Sequence, residues 1–232
     1  MGIKTELKTT VGDIFSNKWT VRESKSVPTD TTNIALGNDG VEIDATVLYA
    51  DLSSSTSLVD QNSSKFAAEI YKAYLHCAAK IIRSETGEIT AYDGDRVMAV
   101  FIGDNKDSFA VRAALKINYA VINIINPGIV QVYGANKYTV KQVVGIDTSK
   151  LLVAKTGIRG ANDLVWVGRA ANYAAKLSNL VNYSTYITNA VYDLLTKEAK
   201  YSKEVDMWTE RTWTAMNNMK IFGSNYSWNL PD

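Results

Sequence analysis

The stretch EITAYDGDRVMAVFIG, residues 88–103, limits the fold more than any other. Two runs of strand-forming residues flank Asp-Gly, one of the commonest two-residue hairpin signals. The spacing predicts paired strands near 88–92 and 95–102. The tip also carries Asp93, Asp95 and Arg96, so three charges meet between two apolar strands. Hairpin tips are ordinarily solvated, and charge there alone assigns no role.

The segments around this hairpin fix its place. VEIDATVLYADL (41–52) reads as a strand that ends in an apolar run, with Asp51 at its C-terminal end. SSSTS follows as a turn of small hydroxyl residues. A helix is predicted over 64–84, because Phe66, Ile70, Tyr74, Cys77 and Ile81 recur on one face. Gly87 ends it. A second helix over 107–125 turns Phe109, Ala113, Ile117, Ala120 and Ile124 inward. YTVKQVVGID (138–147) reads as a strand and KLLVAKTGI (150–158) as its antiparallel partner. VGRAANYAAKLSNLV (167–181) reads as a helix opened by Gly168, TYITN as a short strand, and 190–199 as a helix. The tail, with Trp208, Trp213 and Trp228, reads as edge strands. The order β-α-β-β-α-β predicts an α+β, ferredoxin-like core: a mainly antiparallel sheet with helices on one face. Residues 1–40 are polar and read as an N-terminal extension with a short helix around Val11–Ser16; 41–232 read as one domain.

Composition removes several function classes. The 232 residues are 46% hydrophobic, enough for a sizeable core. The 25 basic and 24 acidic residues form no basic stripe, which argues against nucleic-acid or membrane partners. One cysteine, Cys77, excludes an internal disulfide and a Cys-rich zinc site. The one histidine, His76, falls beside it in a helical pattern, where a surface role outweighs a catalytic one. No signal-peptide core is present, so a cytoplasmic location is expected.

In a β-α-β-β arrangement the first strand lies beside the hairpin, which brings Asp51 and Asp95 to one end of the sheet. Two readings stand for this pair: a solvated acidic surface, or carboxylates bridged by hard divalent cations. In the second reading, backbone N–H groups of Ser53, Ser54, Ser55 and Thr56, at the head of a helix, would face the phosphates of a nucleotide.

The residues also carry a family resemblance. VLYADLSSST, YDGDRVMAVF, VGIDTSKLLVAKTG and VGRAANYAAKL occur in the order of the motifs of class III nucleotidyl cyclases, over about residues 41–225. The resemblance implies two Mg²⁺ or Mn²⁺ ions on Asp51 and Asp95, which serve attack of the ribose 3′-hydroxyl on the α-phosphate. It implies that Asn172 orients the ribose and that Lys176 stands where the family has a transition-state arginine. Lys220 is the candidate for the γ-phosphate. It further implies a homodimer with active sites at the interface. Departures occur at Asp147 and Ser149, where the family has His and Gly.

The base-reading positions depart most. Ala91 and Val165 occupy the places of the polar residues that read a purine, and unpaired purine edges would cost about 1–3 kcal/mol per group. Tyr49 alternates onto the same strand face as Asp51, and Arg96 adds a cation. Tyr49 is otherwise a core aromatic, Arg96 an ion-pair partner of Asp93 or Glu88, and Trp166 a packing residue. The pattern YAD…DGDR…WVGRAAN is similar to the pyrimidine cyclases of bacterial antiphage (Pycsar) defence, which implies UTP or CTP as substrate and an effector driven by the cyclic product. A divergent adenylate or guanylate cyclase and a catalytically silent dimerisation module are the competing readings. Lys176 and the missing purine readers favour silence; the retained Asp51, Asp95 and Asn172 oppose it.

Overall fold

The computed structural model describes residues 2–231. The chain opens with α1 (Ile3–Ser16) and β1 (Thr20–Glu23), then β2 (Asp39–Leu52), α2 (Ser55–Gln61), α3 (Ser64–Ser84), β3 (Glu88–Asp93) and β4 (Arg96–Ile102). Next come α4 (Lys106–Ala120), a π turn (Val121–Ile125) and α5 (Asn126–Tyr133), which continue one another. They lead to β5 (Gln142–Ile158), β6 (Ala161–Val167), α6 (Arg169–Leu177) and β7 (Thr185–Thr188). The C-terminal part holds α7 (Asn189–Leu194), α8 (Lys197–Lys200), a small pair β8 (Tyr201–Ser202) and β9 (Val205–Asp206), then β10 (Thr209–Trp213) and β11 (Met219–Ser224).

The main sheet runs β10-β11-β7-β5-β2-β4-β3, with β1 beside β2 and β6 beside β5. Its central order, β5-β2-β4-β3 with every neighbour antiparallel, is that of a ferredoxin-like core. Leu48 and Ala50 of β2 pack with Tyr74 of α3 and Leu115 of α4. The alternate residues Ala45 and Val47 pack with Ala170 and Ala174 of α6 on the opposite face. Helices therefore cover both faces, not one as predicted, because α6 returns across the sheet after β6. It lies close: a Cβ on Gly145 would sit 2.1 Å from the Ala174 carbonyl and 2.6 Å from the Ser178 nitrogen.

Four further expectations change. The segments 138–147 and 150–158 are not a hairpin: β5 is one strand of 17 residues, and its antiparallel partner on that side is β6. The polar run Asp147-Thr148-Ser149 imitates a turn, yet Asp147 and Thr148 are buried and their polar atoms bonded. The second helix runs past 125. Its π turn inserts one residue and rotates the inward face, so that Ile125 is buried and Ile124 exposed. That continuous helix, Lys106–Tyr133, is long and apolar enough to cross a membrane, but most of its apolar window is buried in the fold. Residues 190–199 form two short helices rather than one. The helix expected near Val11–Ser16 starts at Ile3, and α1 buries none of its residues. His76 lies exposed on α3, as expected.

The close approach at Gly145 sets a test. Gly145→Ala presses a methyl group onto the α6 backbone and is expected to destabilise the protein by about 2 kcal/mol, read by urea unfolding.

Candidate active site

β2 and β4 pair with Ala50 opposite Val97, so Asp51 and the β3–β4 turn come out at the same end of the sheet. The turn itself is Gly94-Asp95, one residue later than the Asp-Gly signal suggests, since Asp93 already pairs with Arg96. Gly94 takes φ 62°, a left-handed position suited to glycine, and Asp95 occupies the tip instead of starting β4.

Asp51 is half-buried. Burial first and the Asp95 charge second push its carboxyl up to about 6, against the opposing pull of Arg96. Asp95 Oδ2 is buried and lacks a hydrogen-bond partner. A buried, unpartnered carboxylate oxygen next to a second carboxylate is costly for a protein by itself. Among the described residues no group of three or more His, Cys, Asp or Glu side chains forms a metal cage. Two hard oxygen donors and no more suit a cation such as Mg²⁺ or Mn²⁺, which keeps positions for water and phosphate oxygens. The donor set fits the cofactor that the family implies.

Tyrosines crowd this acidic corner. Tyr74 is fully buried, and its hydroxyl donates to the Asp51 carbonyl at 3.5 Å. Burial raises its pKa, with the Asp51 and Asp95 charges adding to it. Burial and the Asp95 charge likewise raise Tyr71, whose hydroxyl also meets Ser55. Tyr138 is raised by burial, then by Tyr71 and Asp95. Helical spacing marks Tyr74 as a core residue; no sequence signal tells that its hydroxyl ends beside the acids.

Above the corner, the Ser53 nitrogen donates to the Lys141 carbonyl, 2.9 Å away. Ser54 is left-handed (φ 62°, ψ 33°), an unusual state for a residue with a side chain. α2 begins at Ser55 with no side-chain cap, so its first N–H groups, including those of Ser55 and Thr56, remain available to an anion. On the hairpin, Arg96 Nη2 donates to Asp93 Oδ2 at 2.5 Å, and the guanidinium lies 5.6 Å from the Tyr49 ring centre. Asp93, not Glu88, is the ion-pair partner, and the pair holds Tyr49 against the hairpin.

Asn172 and Lys176 lie one turn apart on the exposed side of α6. Lys176 Nζ is 3.6 Å from Met216 Sδ. Among the described residues neither side chain bonds to Asp51 or Asp95. The two departures from the family pattern hold this helix in place. Buried Asp147 accepts from Arg169 Nε at 3.0 Å and from Thr188 at 2.5 Å. Ser149 Oγ accepts from the Ala170 nitrogen at 3.0 Å, and Arg169 also donates to the Thr148 carbonyl at 2.7 Å. Despite these bonds, burial raises the Asp147 pKa.

The remaining candidates are dispersed. Lys220, on β11, pairs with Glu210 at 2.9 Å and is separated from β2 by β7 and β5. Ala91 is exposed on β3. Val165 and Val167 line a groove beside α1, whereas Leu164 and Trp166, on the other face of β6, pack with the cluster that holds Tyr49. Ala91 is not among the residues that line that groove.

A βαββαβ core with paired carboxylates at one sheet end and a basic helix on the face that bears Asp51 defines the class: a class III nucleotidyl cyclase domain. The fold is similar to that of an adenylyl cyclase from P. aeruginosa, with TM-score 0.67 and 20% identity, over 79% of this chain and 94% of that one. No protein-family model matches the chain. Along nearly its whole length the chain is 54% identical to a uridylate cyclase from Xanthomonas perforans, covering 99% of this chain and 100% of the relative. It is 48% identical to a uridylate cyclase from Burkholderia cepacia with the same coverage. The chain belongs to the uridylate cyclase family and is a nucleotidyl cyclase.

The Asp51 shift gives a signed pH prediction. The folded state keeps that proton to about 6, above the ordinary 3.8, so metal-free stability falls as pH rises across this window. Mn²⁺ affinity, which needs the carboxylate, is expected to weaken about tenfold per pH unit below that value and to level off above it. Asp51→Asn is expected to raise the melting temperature of metal-free protein at pH 8 and to abolish its rise with Mn²⁺. Scanning calorimetry with and without the metal reads both effects.

Proposed function

We propose that the chain converts UTP to cyclic 3′,5′-UMP and pyrophosphate, with CTP as the secondary substrate. The named activity of the two relatives that span the chain end to end carries this reading. The loss of polar purine readers at Ala91 and Val165 agrees with it, as does the Arg96-braced Tyr49 on the face that bears Asp51.

Asp51 and Asp95 would hold two Mg²⁺ or Mn²⁺ ions, which would supply charge neutralisation at the triphosphate and activation of the 3′-hydroxyl. The 3′-oxygen bonds to the α-phosphorus, the bond to the β-phosphate bridging oxygen breaks, and the hydroxyl proton is lost to solvent. Ser54, Ser55 and Thr56 receive the phosphates on backbone N–H groups, whereas the Ser53 N–H is spent on the Lys141 carbonyl. Asn172 orients the ribose, and Lys176 offsets the charge that develops on the α-phosphate. As a point charge, lysine gives less directional support than an arginine fork. Lys220 reaches the γ-phosphate once its Glu210 pairing is exchanged.

Among the described residues neither Asn172 nor Lys176 bonds to Asp51 or Asp95, which supports a homodimer as the working unit, with the partner completing each site. The product acts as a second messenger on an effector in antiphage defence, in the cytoplasm. A divergent purine cyclase and a silent dimerisation module are the readings this one displaces.

Incubation of the purified protein with Mn²⁺ and each of the four labelled nucleoside triphosphates tests the base. Cyclic UMP is expected as the main product; cyclic AMP as the main product would contradict the reading. Mixing separately inactive Asp51→Asn and Asn172→Ala proteins is expected to restore about a quarter of wild-type activity, the statistical share for sites built from two subunits. No recovery would place each site within a single chain.

A further inference from the structure

We infer that the chain carries a second nucleotide site at the start of β5, apart from the acidic corner: a pocket for a nucleoside 3′,5′-cyclic monophosphate, through which product restrains turnover. The inference rests on the cyclase reading above and adds a regulatory site to it.

The pocket has a volume of about 610 Å³, within the range of small-molecule sites. It lies between the π turn and the first residues of β5, with Val121, Ile122 and Val140 among its apolar lining. π turns are frequent at functional sites. Amide side chains brace the frame. Asn126 exchanges two bonds with the Val140 backbone, at 2.8 and 3.1 Å. Asn118 Nδ2 donates to the Asn225 and Tyr226 carbonyls at 3.1 and 3.0 Å.

Two groups within this frame call for a ligand. Gln142 lines the pocket and is only 5% exposed. Its Nε2 donates to the Ser184 carbonyl at 3.2 Å, whereas its Oε1 is buried without a partner. An orphaned acceptor of this kind is costly, and a ligand N–H removes the cost. The second group is Lys141, exposed and the one charged residue of the lining, which holds no carboxylate. One cation and no acid suit a monoanion. A cyclic monophosphate carries a single negative charge and, in uracil, a base N–H. A triphosphate carries several charges and belongs with divalent cations.

The pocket touches the catalytic machinery at one place. Ser53 and Ser54 line it, and the Ser53 N–H donates to the Lys141 carbonyl at 2.9 Å. A monoanion beside Lys141 therefore sits next to the loop proposed to receive the triphosphate. The two anions repel, so each weakens the other's binding by the same factor. Product then slows turnover without taking the substrate's place.

The test is titration calorimetry of cyclic UMP into protein saturated with Mn²⁺ and a non-cyclisable UTP analogue, which occupies the catalytic site. Wild-type protein is expected to bind one cyclic UMP per chain. Lys141→Gln is expected to bind it about tenfold more weakly, as is wild type with uncharged uridine, since each lacks one half of a charge-assisted bond. Ile122→Trp, which fills the mouth from an exposed position, is expected to abolish binding. At saturating UTP, added cyclic UMP is expected to lower the wild-type rate to a plateau above zero and to leave the Ile122→Trp rate unchanged. No cyclic UMP bound to the analogue-saturated protein, or binding that both variants leave unchanged, would overturn the pocket and leave the cyclase reading intact. An analogue that fails to bind with Mn²⁺ would instead overturn the UTP reading.

Discussion

Two carboxylates held together at the end of the central sheet are the interaction around which the rest of the structure is arranged. Asp51 ends β2, Asp95 forms the tip of the β3–β4 turn, and antiparallel pairing leaves them no way to separate. Burial and mutual charge lift the Asp51 carboxyl to about 6, and one Asp95 oxygen is buried without a partner. A sheet that needed only to fold would place apolar or hydroxyl side chains there. The conflict between stability and charge disappears when hard cations and a triphosphate share the corner.

Helix α6, on the sheet face that bears Asp51, is fixed by a compact set of contacts. Arg169 grips the buried Asp147, Ser149 caps the start of α6, and Gly145 allows the helix to touch the sheet backbone. These contacts fix the position of α6, on whose exposed side Asn172 and Lys176 lie. In the proposed homodimer, dividing each site between subunits would couple its assembly to association.

Much of this was legible in the chain, for physical reasons that differ by element. The α3 boundaries followed from a clean apolar stripe ended by Gly87, and the hairpin from its turn chemistry. The acidic pair followed from topology alone, since strand order dictates which ends meet. What escaped was tertiary in origin. Asp147, Thr148 and Ser149 looked like a turn because their partners, Arg169 and Thr188, lie 20 or more residues away. The π turn shifted the buried face of the second long helix by one residue, a change that no periodicity forecasts. The hydroxyls of Tyr71, Tyr74 and Tyr138 converge on the acids only after three segments have packed. Val165 was placed by motif position, whereas the strand's alternation gives the inner face to Trp166.

The most direct measurement of the central claim is anomalous diffraction from crystals grown with Mn²⁺ and a non-cyclisable UTP analogue. The account predicts manganese peaks between the carboxylates of Asp51 and Asp95 and the triphosphate oxygens. Carboxylates that face separate solvent regions, with no manganese between them, would contradict it.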